Sequence, residues 1–579
     1  MKSYTTLQAS FTTRVTSDDA TDRSSSSSMA KKQKTTEAAA KAAVVVKADA
    51  KKAAPPAKES NGVSPASPAA AAAKPAKPSA ERNEFLKLFW NLAESDVAVR
   101  SSAAAQIIAH LQQKQSSEDA TFEDDLQYTL KRLVRGLASS RDAARQGFST
   151  ALAGLLETFP SIKLQEVQDL LREAMEVHSS MKGMEQREHM FGRLFGLLAV
   201  QRSGRLSGDA NQDVAVQVIK QLLEMSKWKK WFREACFEAV LAVLVEVNSK
   251  TFLSELVPEF TTYLSGEVGE YNAEQVLLAA GLHHYIHTTG IESKVPSTFP
   301  ALKFLRRKAM HALAEPLKNS SSCYPRVHAA WYGIFGHLIH TGKDAAQFDV
   351  ELFQETWNVL VENVLLNKES ATHERRGLAF KLFELVIPSL PRSLLRAILT
   401  PHFVKCLYTN AVSKKNYLHE AARHTLKAFA TLAPEEYFHF FQKQFVKPMA
   451  SLVELDSEDT EDAEEAKKER SARLSSGGFD AIVAIEEEKE RAELIKKKND
   501  NVRLWALDAL VTGVSDLLAK DDASEETEQL QNQVLRFLVF HTFFTSAGKS
   551  STPSKKKKQQ KQKAAGDLEA AGRGHGPRD

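Results

Sequence analysis

Apolar residues recur three and four positions apart through the middle of the chain, and strand-like alternation is scarce. Leu130, Leu133 (with Val134) and Leu137 mark one such stripe; Phe148, Ala151, Leu152 and Leu155 mark the next. That spacing places apolar side chains on one face of an α-helix. The stretch YTLKRLVRGLASSRDAARQGFSTALAGLLETFP, residues 128–160, therefore reads as two helices joined by a short polar turn. Ser139-Ser140 followed by Asp142 suggests a weak capping box at the start of the second. Pro160, Pro296, Pro316, Pro388, Pro391 and Pro434 fall at or near the ends of periodic segments, where proline starts or stops helices.

A motif repeats along these helices. Arg-x-x-small occurs at Arg100/Ala103, Arg141/Ala144, Arg233/Cys236, Arg326/Ala329, Arg376/Ala379 and Arg503/Ala506, near the start of segments such as VRSSAAAQII and FREACFEAVLAVL. Successive arginines are 41, 92, 93, 50 and 127 residues apart. Several of these intervals approximate one, two or three periods of a HEAT-type helix pair of roughly 40–47 residues. The small residue admits a neighbouring helix, and the arginine can reach carbonyls or acids along the turn. The expected fold is all-α, an armadillo/HEAT-like helical-repeat solenoid presenting long surfaces instead of a deep pocket.

Composition divides the 579 residues. From Thr12 to Glu84 there is no aromatic residue, only an Ala/Lys/Pro/Ser-rich run that cannot bury enough apolar surface to offset its ordering entropy. Residues 1–80 are thus expected to be a disordered tail, and residues 549–579 another. Residues 81–450 form the repeats, 451–500 a charged loop-and-helix insertion, and 501–548 the terminal helices. The formal charge of +4 conceals an asymmetry: the two tails carry +7 and +6, the body −9. Basic character concentrated in tails argues for targeting or loose RNA contact, and against a whole-domain nucleic-acid clamp. Cys236, Cys323 and Cys406 lie more than eighty residues apart, with no CxxC pair, so a reducing compartment is expected. No apolar run reaches the roughly 18 residues of a membrane span. No apolar signal-peptide core opens the chain; Asp18, Asp19 and Asp22 spoil a transit-peptide reading, and Met29 is an alternative start.

Six segments in order resemble the DNA polymerase phi / Myb-binding protein 1A family: FLKLFWNLAESDVAVRSSAAAQII, YTLKRLVRGLASSRDAARQGFSTALAGLL, MFGRLFGLLAV, YPRVHAAWYGIF, WNVLVENVLLNKESATHERRGLAFKLFE and PHFVKCLYTNAVSKKNYLHEAARHTL. They cover roughly residues 84–430. The resemblance implies a nucleolar armadillo-like scaffold acting in ribosome biogenesis and transcription of rRNA genes. It further implies partners among pre-ribosomal or transcription-machinery proteins, with rRNA or rDNA as candidate nucleic acids. Family members are typically longer, with a second helical half and a longer acidic tract, so an abbreviated or truncated chain is one expectation. The polymerase name implies less. A B-type enzyme needs paired carboxylates, usually Tyr-Gly-Asp-Thr-Asp, to hold two magnesium ions. The nearest string here, SEDTEDAEE at 457–465, lies in a solvated acidic stretch without flanking strands.

Candidate sites are then few. Lys131, Arg132, Arg135, Arg141 and Arg145 could line an edge for phosphates. With no interleaved exposed aromatic, the favoured reading is a solvated face paired with acids such as Glu123, Asp124 and Asp125. KWKKWFREA, residues 227–235, sets Lys229, Lys230 and Arg233 beside Trp228 and Trp231; tryptophan on a helix is more often core. His283, His284 and His287 lack a nearby cysteine, so burial or hydrogen bonding is favoured over zinc. SAGKSST at 546–552 lacks the first glycine of a phosphate loop, position 543 being Phe, and no Gly-x-Ser-x-Gly elbow occurs. KKKKQQKQK, with Lys555, Lys556, Lys557, Lys558, Lys561 and Lys563, reads as nuclear or nucleolar targeting, and AKKQK at 30–34 as a second signal. No catalytic residue, metal, cofactor, membrane contact or small-molecule substrate is expected. The function expected is a non-enzymatic nucleolar scaffold. A transcription coregulator that binds DNA-bound factors, a karyopherin-like adaptor and a polymerase are the alternatives.

Overall fold

Among the described residues no strand occurs, and every long segment is helix. The computed structural model describes residues 80–340, 349–453, 479–518 and 525–543. The tails expected at 1–80 (Ala80 excepted) and 549–579 lie outside those residues, as does the acidic stretch 454–478 with its 457–465 string. The fold is all-α and built of stacked helix pairs, as the periodicity predicts. The chain divides into two compact units after Leu378.

In the first unit the helices used below are α1 (Ala80–Asn91), α2 (Val97–Ser116), α3 (Phe122–Gly136), α4 (Asp142–Thr158), α5 (Leu164–Ala174), α6 (Gly183–Arg202), α7 (Gln212–Met225), α8 (Arg233–Leu244), α9 (Ala273–Thr289) and α10 (Ala329–His340). Helices α2, α4, α6, α8, α9 and α10 pack side by side in one row. Helices α3 and α5 lie against each other in a second layer, α3 behind α4 and α5 behind α6, while α7 backs α8. This is the two-layer arrangement of paired-helix repeats, in which each pair buries its apolar stripe against its neighbours. Leu130, Leu133, Leu137, Ala151, Leu152 and Leu155 are all fully or almost fully buried, so the stripes read from the sequence face the core.

Two arginines of the repeated motif, Arg100 and Arg233, and two others, Arg145 and Arg205, act inside this stack. Arg100, 7% exposed, donates through Nη1 to the carbonyls of Glu94 and Ser95, both at 2.7 Å, and through Nη2 to Gln146 on α4 at 3.0 Å. Arg145 donates to the Ser139 carbonyl at 2.6 Å, and Arg233 to the Ser226 carbonyl at 3.5 Å. Arg205 binds the carbonyls of Leu156, Ile162 and Pro160 at 3.3, 2.9 and 3.1 Å. Each guanidinium takes up carbonyls that a helix end or turn leaves without helical partners. Arg100→Lys should lose the forked geometry and cost about 1–2 kcal/mol, read as a lower urea midpoint. The capping box expected at Ser139-Ser140 does not form. Arg141 occupies the cap of α4 without a side-chain cap bond, and its own N–H donates to Ser139 Oγ at 3.2 Å.

The second unit contains α12 (Pro401–Val412), α13 (His419–Leu432), α14 (Pro434–Val446), α15 (Phe479–Leu518) and α16 (Glu525–Phe543); α11 (His373–Val386) spans the division. Trp505 on α15 packs edge-on against Tyr408 and Phe441, with centroids 5.1 and 4.9 Å away, and Tyr437 donates to the Ala509 carbonyl at 2.9 Å. Helix α15 has 40 residues and runs straight through position 500, where the sequence reading put a boundary. From Ile485 to Lys498 it is almost wholly solvated, whereas Val502, Trp505, Ala506, Ala509 and Leu510 are core. The insertion helix and the first terminal helix are thus one element, continuous because no glycine or proline interrupts it until Gly513. Arg503 accordingly lies within a helix instead of near its start, and bonds the Phe445 carbonyl at 3.3 Å.

Candidate functional site

The first basic cluster separates into two groups. Lys131 and Arg135, one turn apart on α3, are exposed on a shared face. Arg132 is half-buried with its guanidinium 5.3 Å over the Phe89 ring. Arg141 donates to the Ala93 carbonyl at 2.6 Å. Arg145 is 5% exposed, ion-paired to Asp142 and 5.4 Å over Phe191. Arg145 thus serves the packing of α4, and Arg141, though exposed, is held to the turn after α1; Lys131 and Arg135 remain on an open face of α3. Of the acids expected to neutralise the cluster, Asp125 pairs instead with Lys114 at 2.5 Å. An aromatic side chain is exposed nearby, contrary to the sequence reading. Tyr128, one turn before Lys131 and Arg132 on α3, is 36% exposed.

The second cluster is the better-built surface. Lys230–Phe232 is a single 3₁₀ turn leading into α8. Phe232 is fully buried and anchors the turn, Lys229 and Lys230 are exposed, and Trp231 is 53% exposed. The Trp231 ring lies 5.8 Å from Phe191, and the Arg187 guanidinium sits 5.2 Å over Phe191 and 5.9 Å over Trp231. Arg187 and Phe191 are i,i+4 neighbours on α6 and belong to the site, although the sequence reading missed both. Their spacing was the available signal. Trp228 is half-buried, stacked under Arg193 at 5.5 Å, and faces a groove of about 680 Å³ of mixed charge, lined by Asp169, Glu173 and Glu176 together with Arg172 and Arg193. Lys227 is engaged elsewhere: its hydrogen bonds with Glu224 and Tyr263 hold its ammonium above the ordinary lysine value.

Two buried polar assemblies complete the first unit. His283 bonds the Ala301 carbonyl at 2.9 Å, and His284 meets His337 of α10 Nδ1 to Nδ1 at 3.1 Å, while His287 is exposed beside the His337 ring. Among the described residues no three His, Cys, Asp or Glu side chains converge as a metal site would require. The other assembly is ionic. Arg326 donates twice to Glu234, at 2.6 and 2.7 Å, and the Ala329 N–H adds a third bond at 2.9 Å. Burial pushes the Glu234 carboxyl up, but the Arg326 bonds, the nearby His328 and the Ala329 amide outweigh it and hold it below the usual carboxylate range. Two copies of the repeated arginine motif meet here, one supplying Glu234 beside Arg233 and the next Arg326. This assembly has the connectivity of a lock between α8 and the start of α10.

Among the described residues no helix is long and apolar enough to cross a membrane. The lysines at 555–563 and the strings at 30–34 and 546–552 lie outside the described residues. A sequence model of the DNA polymerase phi family matches residues 128–571. The chain is 25% identical over 344 residues to the rDNA transcriptional regulator pol5 of Schizosaccharomyces pombe, covering 58% of this chain and 35% of that protein. It is 25% identical over 335 residues to Myb-binding protein 1A of Mus musculus, covering 57% and 23%. It is 31% identical over 165 residues to Myb-binding protein 1A of Homo sapiens, covering 28% and 12%. The chain therefore spans about a third or less of the length of these curated relatives.

Proposed function

We propose, from the premise that this chain belongs to the DNA polymerase phi family, that it is a non-enzymatic scaffold of the nucleolus that regulates rRNA gene transcription and ribosome biogenesis. The observation that carries this reading is the row α2–α4–α6–α8–α9–α10, whose polar groups are spent on locking helix to helix and whose edges offer surface to macromolecules. The relatives described as regulators of rDNA transcription support the same direction. In this reading the scaffold holds transcription-machinery or pre-ribosomal proteins. Lys131, Arg135, Lys229 and Lys230 supply its basic contacts with partners or with rRNA or rDNA, and Lys555–Lys558, Lys561 and Lys563 supply its address.

The test is fractionation and chromatin occupancy of the tagged full chain. Enrichment in nucleoli and on rRNA genes is expected; absence from both ends the proposal. Replacing the six tail lysines with glutamine should move the protein out of the nucleolus, seen by fluorescence microscopy. A second reading, a coregulator that binds DNA-bound factors, draws on the relatives described as Myb-binding proteins; it predicts occupancy at many promoters instead of one gene class. Template-dependent nucleotide incorporation by the purified chain, abolished by substitutions within 457–465, would establish a polymerase instead.

A further inference from the structure

We propose that the Trp231 surface is a stacking site for single-stranded RNA, with Trp231 and Arg187 taking a base and Lys229 and Lys230 the flanking phosphates. The inference rests on the scaffold reading and names the ligand of one of its surfaces.

Four observations carry it. Trp231 is a large aromatic left half open to solvent on a turn anchored by the fully buried Phe232, so the ring is both exposed and fixed. The planar Arg187 guanidinium lies over that ring at 5.9 Å and over Phe191 at 5.2 Å, so a base would stack on the open part of the same Trp231–Arg187 surface. Planar cations and indole rings both stack on base faces, independent of base identity. Lys229 and Lys230 directly precede the ring and are exposed. Glu185 and Glu188 on α6 are outnumbered by Lys182, Arg187, Lys229 and Lys230. A duplex hides its base faces, so the exposed ring selects unpaired strands.

The experiment is fluorescence anisotropy of the full chain with a labelled single-stranded RNA and with the same strand annealed to its complement. The basic tail adds a background common to every variant. Trp231→Ala should weaken single-strand binding about tenfold, the order of one stacked base, and Trp231→Phe should recover most of it. Lys229→Ala with Lys230→Ala should reduce the slope of log affinity against log salt by about 1.4. Unchanged affinity in Trp231→Ala overturns the proposal, as does equal preference for the duplex, or displacement of RNA by an acidic peptide at lower concentration than by unlabelled RNA. The circular dichroism melt of Trp231→Ala should match the parent, because the ring is not core. Occupancy of rRNA genes is measured in parallel. If occupancy persists while Trp231→Ala binds RNA normally, the stacking site fails and the scaffold stands; if the parent chain never occupies those genes, the scaffold reading fails.

Discussion

Replacing Gly147 with alanine is expected to destabilise the first unit by about 3 kcal/mol, near the upper end for overpacking a core. A methyl group at this position would fall on the Leu92 carbonyl oxygen, 2.9 Å from its carbon and 3.1 Å from Cδ of Arg100. None of these neighbours can yield cheaply. Leu92 is fully buried, and Arg100 is fixed by the Glu94 and Ser95 carbonyls. Relief would require α4 to move away from the turn after α1 and from α2. The control is Gly183→Ala at the start of α6, where nothing lies within 4 Å. That change should be neutral or stabilise by up to about 1 kcal/mol, through a less flexible unfolded chain and better helix propensity. Urea melts of both variants decide the matter; equal midpoints would show that the stack adjusts freely.

The second large effect is expected at the ionic lock. Arg326→Ala leaves the Glu234 carboxylate, whose side chain is only 12% exposed, with the Ala329 amide, His328 and the neighbouring Glu238 carboxyl as its remaining company. Removing one partner of a fully buried pair costs about 3–5 kcal/mol; because Arg326 is partly solvated, about 2–3 kcal/mol is expected here. The pH dependence gives the sign. In the parent chain Glu234 titrates below the ordinary carboxylate range, so its stabilising contribution is present at neutral pH and is lost as pH falls through that lowered value. In the variant burial prevails and the carboxyl titrates higher. The deficit should therefore be largest near neutrality and shrink toward acid. Paired urea melts at about pH 7 and about pH 4.5 test this: a deficit that grows in acid would contradict the assigned role. Glu234→Met with Arg326→Leu should cost less than either single change, since neither charge is left buried alone.

The stripes at Leu130/Leu133/Leu137 and Ala151/Leu152/Leu155 were legible in the sequence because helix periodicity is a local property. The repeated arginine motif likewise anticipated the helix starts from Arg100 to Arg376. Its chemistry was only half visible. Arg100 binds carbonyls five and six residues back, a geometry set by how the turn folds and not by residue spacing. The exposure of Trp231 was misjudged because it depends on a 3₁₀ turn whose core position is taken by Phe232, leaving the adjacent indole on the solvent side. Arg187 was missed because the partner that gives it meaning is forty-four residues further along the chain. The break expected at residue 500 was a composition change that the backbone ignores.

The guanidinium groups that clasp turn carbonyls have a bearing on how genetic variants of this chain should be interpreted. A missense change at Arg100 or Arg145 removes a positive charge and would score in a functional screen as lost affinity for an acidic ligand. Its actual route would be lower abundance, as the opened turn exposes the chain to proteolysis. Screens of this protein should therefore normalise every phenotype to steady-state level before any arginine is credited with contacting a ligand.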